Sequence, residues 1–143
     1  MTPTVPELLM GNFLCLMEPP PPESSGDFLQ ARIGVTGMIA LLCAQEAERG
    51  IAARVWENGA IRALLIDAAG AYGERFAAAA TGEDRDLSLA ALDAANAMLR
   101  RALIDLHIAV ETARDAALDT AIRALYVKMA DARRLDLPPL PAS

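Results

Sequence analysis

The chain has 143 residues, with 13 Lys and Arg against 19 Asp and Glu, a formal charge of −6 at pH 7. That sign repels phosphate backbones and argues against a nucleic-acid partner. Hydrophobic residues make up 54% but aromatics only 4%, so the core must be built from aliphatic and alanine contacts. Such a core suits closely packed helices and not sheets, which favour β-branched and aromatic residues.

The first predicted element is a short helix over residues 4–17. Thr4 and Glu7 have capping-box spacing, and Pro6 fits a first turn, where its missing N–H costs nothing. Leu9, Phe13, Leu16 and Met17 form one apolar stripe, and Leu8, Met10 and Leu14 cover most of the remaining circumference. A helix this short is marginal alone in water, so packing must supply its order. The expectation is an interaction arm docked in a groove of its own chain or of a second copy. Residues 19–22 are all proline; they stop the helix and, with 23–26, form a stiff tether. Residues 1–26 thus read as arm and linker, and residues 27–137 as the main body.

The second helix is expected over 27–49. Asp27 and Gln30 have capping-box spacing, and Phe28, Ala31, Val35, Met38 and Leu42 recur at steps of three and four, the period of a packed seam. Gly34 and Gly37 lie beside that seam. A helix-interior glycine costs about 1 kcal/mol relative to alanine, so the pair suggests close approach by a neighbouring backbone. Gly50 is expected to end the helix in the left-handed conformation. The apolar run 33–44 falls well short of the roughly 20 residues a bilayer requires, so no membrane span is expected.

The third helix is expected over 52–80, with Ile61, Leu64, Leu65, Ala68, Tyr72 and Phe76 on its inner face and Asn58-Gly59 as a tolerated interruption. Thr81-Gly82 stops it, and 83–86 is a charged loop. No Gly or Pro occurs from Ser88 to Leu137. One helix of that length would reach roughly 70 Å at 1.5 Å per residue, against about 35–40 Å for a compact domain. A break is therefore expected near 112–115, for two reasons. The stripe Leu99, Leu103, Leu106, Val110 gives way to Leu118, Ile122, Leu125, Met129, which points elsewhere around the axis. Thr112 and Asp115 also have capping-box spacing. The last two helices then cover 88–111 and 115–134, and 138–143 is a proline-rich tail with one Pro-x-x-Pro repeat. The fold class is all-α: an antiparallel helical bundle of about four main helices with a short apolar N-terminal helix.

Chemistry is sparse. His107, the single histidine, shares a helix face with Glu111 at i, i+4, and Arg100 lies seven residues earlier on much the same face. Arg100, His107 and Glu111 are the candidate ligand-binding residues: the arginine would hold an anion while the His–Glu pair moves a proton. The alternative is a core-edge histidine bonded to a carboxylate. Residue 104 is Ile, where a di-iron Glu-x-x-His motif needs Glu. One histidine and no paired cysteines leave no His-rich or Cys-rich zinc site, so neither metal nor cofactor is expected. Glu46, Glu48 and Glu57 read as a solvated rim around the second turn, with an all-carboxylate Mg²⁺ site as the alternative. No serine lies in a GxSxG turn, and there is no GxGxxG or GxxxxGK[ST].

Cys15 and Cys43 lie in separate apolar segments and read as reduced thiols. A secretory signal needs basic residues ahead of its apolar core, and the first basic residue is Arg32; the expected location is therefore cytoplasmic. The functional expectation is a non-catalytic helical interaction or assembly module, homodimeric and open to a further protein partner. The alternative is a small-molecule-binding bundle, or an enzyme, with an inter-helix pocket near Arg100, His107 and Glu111.

Overall fold

The computed structural model describes residues 3–5, 7–9, 11–12 and 26–136. Phe13, Leu16 and Met17 of the expected arm, the proline tether and the proline-rich tail lie outside the described residues. Every regular element among the described residues is helical: α1 (Gly26–Tyr72), α2 (Arg75–Ala79), α3 (Leu89–Ala113) and α4 (Ala116–Ala132). Ahead of them, the residues described from Val5 to Asn12 are helical as well. Thr4 and Glu7 meet there as their spacing implies, the Thr4 N–H and hydroxyl both donating to Glu7 Oε2 at 2.7 and 3.0 Å. No described helix is long and apolar enough to cross a membrane.

The chain divides into two compact units, residues 1–50 and 51–143. Two expectations about α1 need correction. Gly50 does not end a helix, and the segments expected at 27–49 and 52–80 form one element as far as Tyr72. A glycine C-cap works by adopting positive φ. The glycines that do so are Gly73 (φ 113°) and Gly82 (φ 100°). At Gly50 the flanking Ala, Glu and Arg residues are strong helix formers, which offset the cost of about 1 kcal/mol for one glycine. Gly73 therefore supplies the true stop: its N–H donates to Ala69 O at 2.8 Å, and its carbonyl accepts from Phe76 N–H at 3.1 Å to start α2.

The seam expected on the early part of α1 is likewise not buried. Phe28, Val35 and Met38 are all exposed, and a Cβ built on Gly34 or Gly37 would meet no described atom within 4 Å. Those glycines mark no close backbone approach among the described residues.

In the second unit the apolar periods converge on one core. Ile61, Leu65 and Ala68 of α1, Phe76 of α2, Leu99, Leu103, Leu106 and Val110 of α3, and Ile122 and Met129 of α4 are buried together. Leu64, Tyr72, Leu118 and Leu125 pack on its margin. Full burial of each large aliphatic or aromatic side chain contributes about 1.5–3 kcal/mol, so this cluster is the main source of order for residues 51–132.

The break between α3 and α4 falls where expected, by a different device. Thr112 does not cap α4; its hydroxyl turns back to Ile108 O at 2.7 Å. Arg114 adopts the left-handed conformation, φ 58° and ψ 36°, and Asp115 caps α4 by accepting the Leu118 N–H at 3.1 Å. Asp115 also accepts the Tyr72 hydroxyl at 3.0 Å, tying the turn to the end of α1. The Leu118 N–H and then the Tyr72 hydroxyl hold the Asp115 carboxyl below its ordinary value. Burial, and secondarily Asp115, pushes the Tyr72 phenol up.

Candidate functional site

Two polar clusters form in the second unit, and they differ in character. The first is buried. Arg54, Glu57 and Asn58 occupy the i−7, i−4 and i−3 positions relative to Ile61, so they continue the apolar stripe of α1 inward instead of facing water. Glu57 and Asn58 are 0% exposed. Asn96, on the same stripe of α3 as Leu92, Leu99 and Leu103, donates to Glu57 Oε1 at 3.0 Å and to Asn58 Oδ1 at 2.9 Å. Arg100 Nε reaches Glu57 Oε1 at 2.7 Å, and Arg133, the residue after α4, reaches Oε2 through Nε at 2.9 Å. Arg54 Nε pairs with Asp93 Oδ1 at 2.6 Å. A carboxylate taken out of water alone would be very costly. Two guanidinium groups and an amide around Glu57 make it tenable and join α1, α3 and the end of α4.

This network extends to the 83–86 loop. Arg62 Nη2 pairs with Asp84 Oδ1 at 2.8 Å. Arg62, assisted by Asn58, holds the Asp84 carboxyl below its ordinary value, and the same contact raises the Arg62 guanidinium.

Glu57 was expected on a solvated rim, and that expectation is overturned by its complete burial. Of its two expected companions, Glu48 is exposed and Glu46 partly buried. Arg100 was expected to share a site with His107 and Glu111. Its guanidinium instead pairs with Glu57 while its side chain stays 39% exposed. The signal that could have found this network is positional: polar residues at 54, 57, 58 and 96 fall on stripes that are otherwise core.

The second cluster is half-open. It sits where the end of α3 meets the start of α4. His107 Nε2 lies 2.8 Å from Asp119 Oδ1 and 3.7 Å from Glu111 Oε1. Glu111 thus lies near His107, as the i, i+4 spacing implies, but beyond hydrogen-bond reach, and Asp119 is the nearer partner. Arg123 closes the group, with Nε on Asp119 Oδ2 at 2.8 Å and Nη2 on Glu111 Oε1 at 3.3 Å. Arg123 first, and His107 second, hold the Asp119 carboxyl below its ordinary value. On the far side of the imidazole, the Tyr126 hydroxyl lies 3.4 Å from Nδ1, and the rings are tilted 57° with centroids 5.5 Å apart. Burial pushes the Tyr126 phenol up, while the nearby Arg100 charge acts in the opposite direction.

A solvent-open hollow of about 380 Å³ lies beside this cluster. Its walls are Val110, Glu111, Arg114, Asp115, Ala116, Asp119 and Arg123. His107 is not among them. One donor atom each from His107, Glu111 and Asp119 lies within 4.8 Å of the others, so these three residues could hold a metal ion. Counting histidines excluded His-rich sites and overlooked this mixed set, because the distance from His107 to Asp119 across the turn cannot be read from sequence spacing. Cys43 is half-buried and unbridged; Cys15 lies outside the described residues.

Comparison with family models, curated protein sequences and solved structures found no match.

Proposed function

We propose that the chain is a non-catalytic helical assembly module that pairs with a second copy of itself through the apolar surface of residues 26–50. The observation that carries this reading is the exposure of Phe28, Leu29, Ile33, Val35 and Met38, which ranges from 38% to 63%. Counting 100° per residue, Phe28, Val35 and Met38 share one side of α1 and Leu29 and Ile33 another. A helix apolar on two sides is suited to more than one neighbour, and exposed apolar side chains clustered in this way favour an interaction surface. Each such side chain gains about 1.5–3 kcal/mol on full burial. Leu9 of the N-terminal segment is likewise 53% exposed and is a second candidate contact for the same pairing. In this reading the second unit is a helical bundle that serves as the stable base, and the module works in the cytoplasm.

The pocket reading draws less support. It needs Arg100, His107 and Glu111 around one enclosed space, whereas Arg100 is engaged by Glu57 and the hollow beside Glu111 is open. Native mass spectrometry of the full chain tests the choice: a dimer without retained small molecule fits assembly, and a monomer carrying a stoichiometric organic ligand fits the pocket.

A further inference from the structure

We infer that His107, Glu111 and Asp119 form a binding site for a divalent cation of the zinc type. The donor set comes first. An imidazole nitrogen with two carboxylate oxygens suits zinc and its first-row neighbours better than magnesium or calcium, which favour oxygen ligands alone.

Geometry comes second. With zinc–ligand bonds of about 2.0–2.2 Å, neighbouring donors sit about 3.0 Å apart around an octahedral ion and about 3.4 Å apart around a tetrahedral one. His107 Nε2 lies 2.8 Å from Asp119 Oδ1 and 3.7 Å from Glu111 Oε1, which brackets those edges. The third edge, between Glu111 and Asp119, lies within 4.8 Å, so side-chain rotation must bring the two carboxylates to the ion.

The scaffold around these donors is fixed. His107 and Glu111 stand one turn apart on α3, and buried Leu106 and Val110 anchor that turn. Asp119 stands in the first turn of α4, held in register by the left-handed Arg114, the Asp115 cap and the Tyr72 hydroxyl. An ion on Nε2 requires the imidazole proton on Nδ1, and the Tyr126 oxygen lies 3.4 Å from that nitrogen, able to accept it. This is the outer partner that a metal-bound histidine needs to fix its tautomer and orientation. Glu111 and Asp119 also line the open hollow, so a bound ion would keep a position for water.

Arg123 is the built-in competitor. Its guanidinium already neutralises both carboxylates, but its side chain is 60% exposed and can swing out. A cation must displace it, so removing that charge should tighten metal binding.

The test is calorimetric titration of the full chain with Zn²⁺ alone, paralleled by Co²⁺ titration read by visible absorption. We expect one ion per chain, loss of that binding in His107→Ala, weakening in Glu111→Gln, about tenfold weakening in Tyr126→Phe and tighter binding in Arg123→Gln. Circular dichroism checks that each variant is folded. Should His107→Ala fail to fold, Glu111→Gln decides, because that carboxylate is half-exposed and its loss leaves the core intact. Absence of saturable Zn²⁺ binding, or binding unchanged in the folded His107→Ala or Glu111→Gln variant, overturns the site.

Discussion

Helix α1 carries apolar stripes in both compact units, and they meet opposite fates. Ile61, Leu65 and Ala68 are buried against residues of α2, α3 and α4. Phe28, Leu29, Ile33, Val35 and Met38 carry the same kind of side chain at similar spacing and remain exposed. A helical period reports that a face needs a partner; it does not say which chain provides one. The second unit finds its partners inside the chain; the exposed face of the first is open to one outside it, and a second copy is the partner proposed.

The comparison can be broken most sharply at the buried polar network, where the second unit is most tightly specified. Glu57→Ala would leave Arg100 and Arg133 without their shared carboxylate, and breaking a buried pair in this way costs about 3–5 kcal/mol. Urea unfolding should register this as a fall in midpoint; a loss below about 1 kcal/mol would mean that water reaches the network.

Next come matched apolar truncations in the two units. Leu65→Ala should cost about 2–5 kcal/mol, as a buried leucine does when a cavity remains. Ile33→Ala, measured at concentrations dilute enough to hold the chain monomeric, should change stability by no more than about 0.5 kcal/mol. Equal losses at the two positions would erase the contrast.

Acid should act on the second unit through Asp84. Arg62 depresses its folded-state pKa below the unfolded value. The contribution is therefore full above the ordinary carboxylate range and fades as pH falls through that range toward the folded value. Asp84→Asn should flatten the acid limb of the stability profile, while leaving the slope near neutrality unchanged. A limb as steep as that of the native chain would assign the acid sensitivity to other carboxylates.

The smallest expected effect is at the α3–α4 turn. Arg114 sits at positive φ without being glycine, a conformation that costs roughly 1–2 kcal/mol for an L-residue. Arg114→Gly relieves that strain but loosens the unfolded chain, so a net gain of at most about 1 kcal/mol is expected from thermal unfolding.

Much of the second unit was legible in the sequence because its stripes are regular. The inner face of α1 and the leucine stripe of α3 occupy the core as their periods imply. The shift in stripe direction also located the break before α4. The extent of α1 was not legible, since glycine is only a weak stop unless its backbone must turn left-handed, and positive φ at Gly73 but not at Gly50 is a tertiary outcome. The Glu57 network was missed because a single sequence does not show that Asn96, Arg100 and Arg133 converge from other segments. Half of the His107 cluster was readable: Glu111 follows from helical spacing, whereas Asp119 arrives through the geometry of a two-residue connection.

The most direct test of the assembly claim is sedimentation velocity on the full chain beside a Leu29→Glu, Ile33→Glu double variant. The native chain should sediment as a dimer that dissociates on dilution, and the double variant as a monomer with undiminished helical circular dichroism. A native chain that stays monomeric across the accessible concentration range, or a double variant that dimerises equally well, would contradict the account.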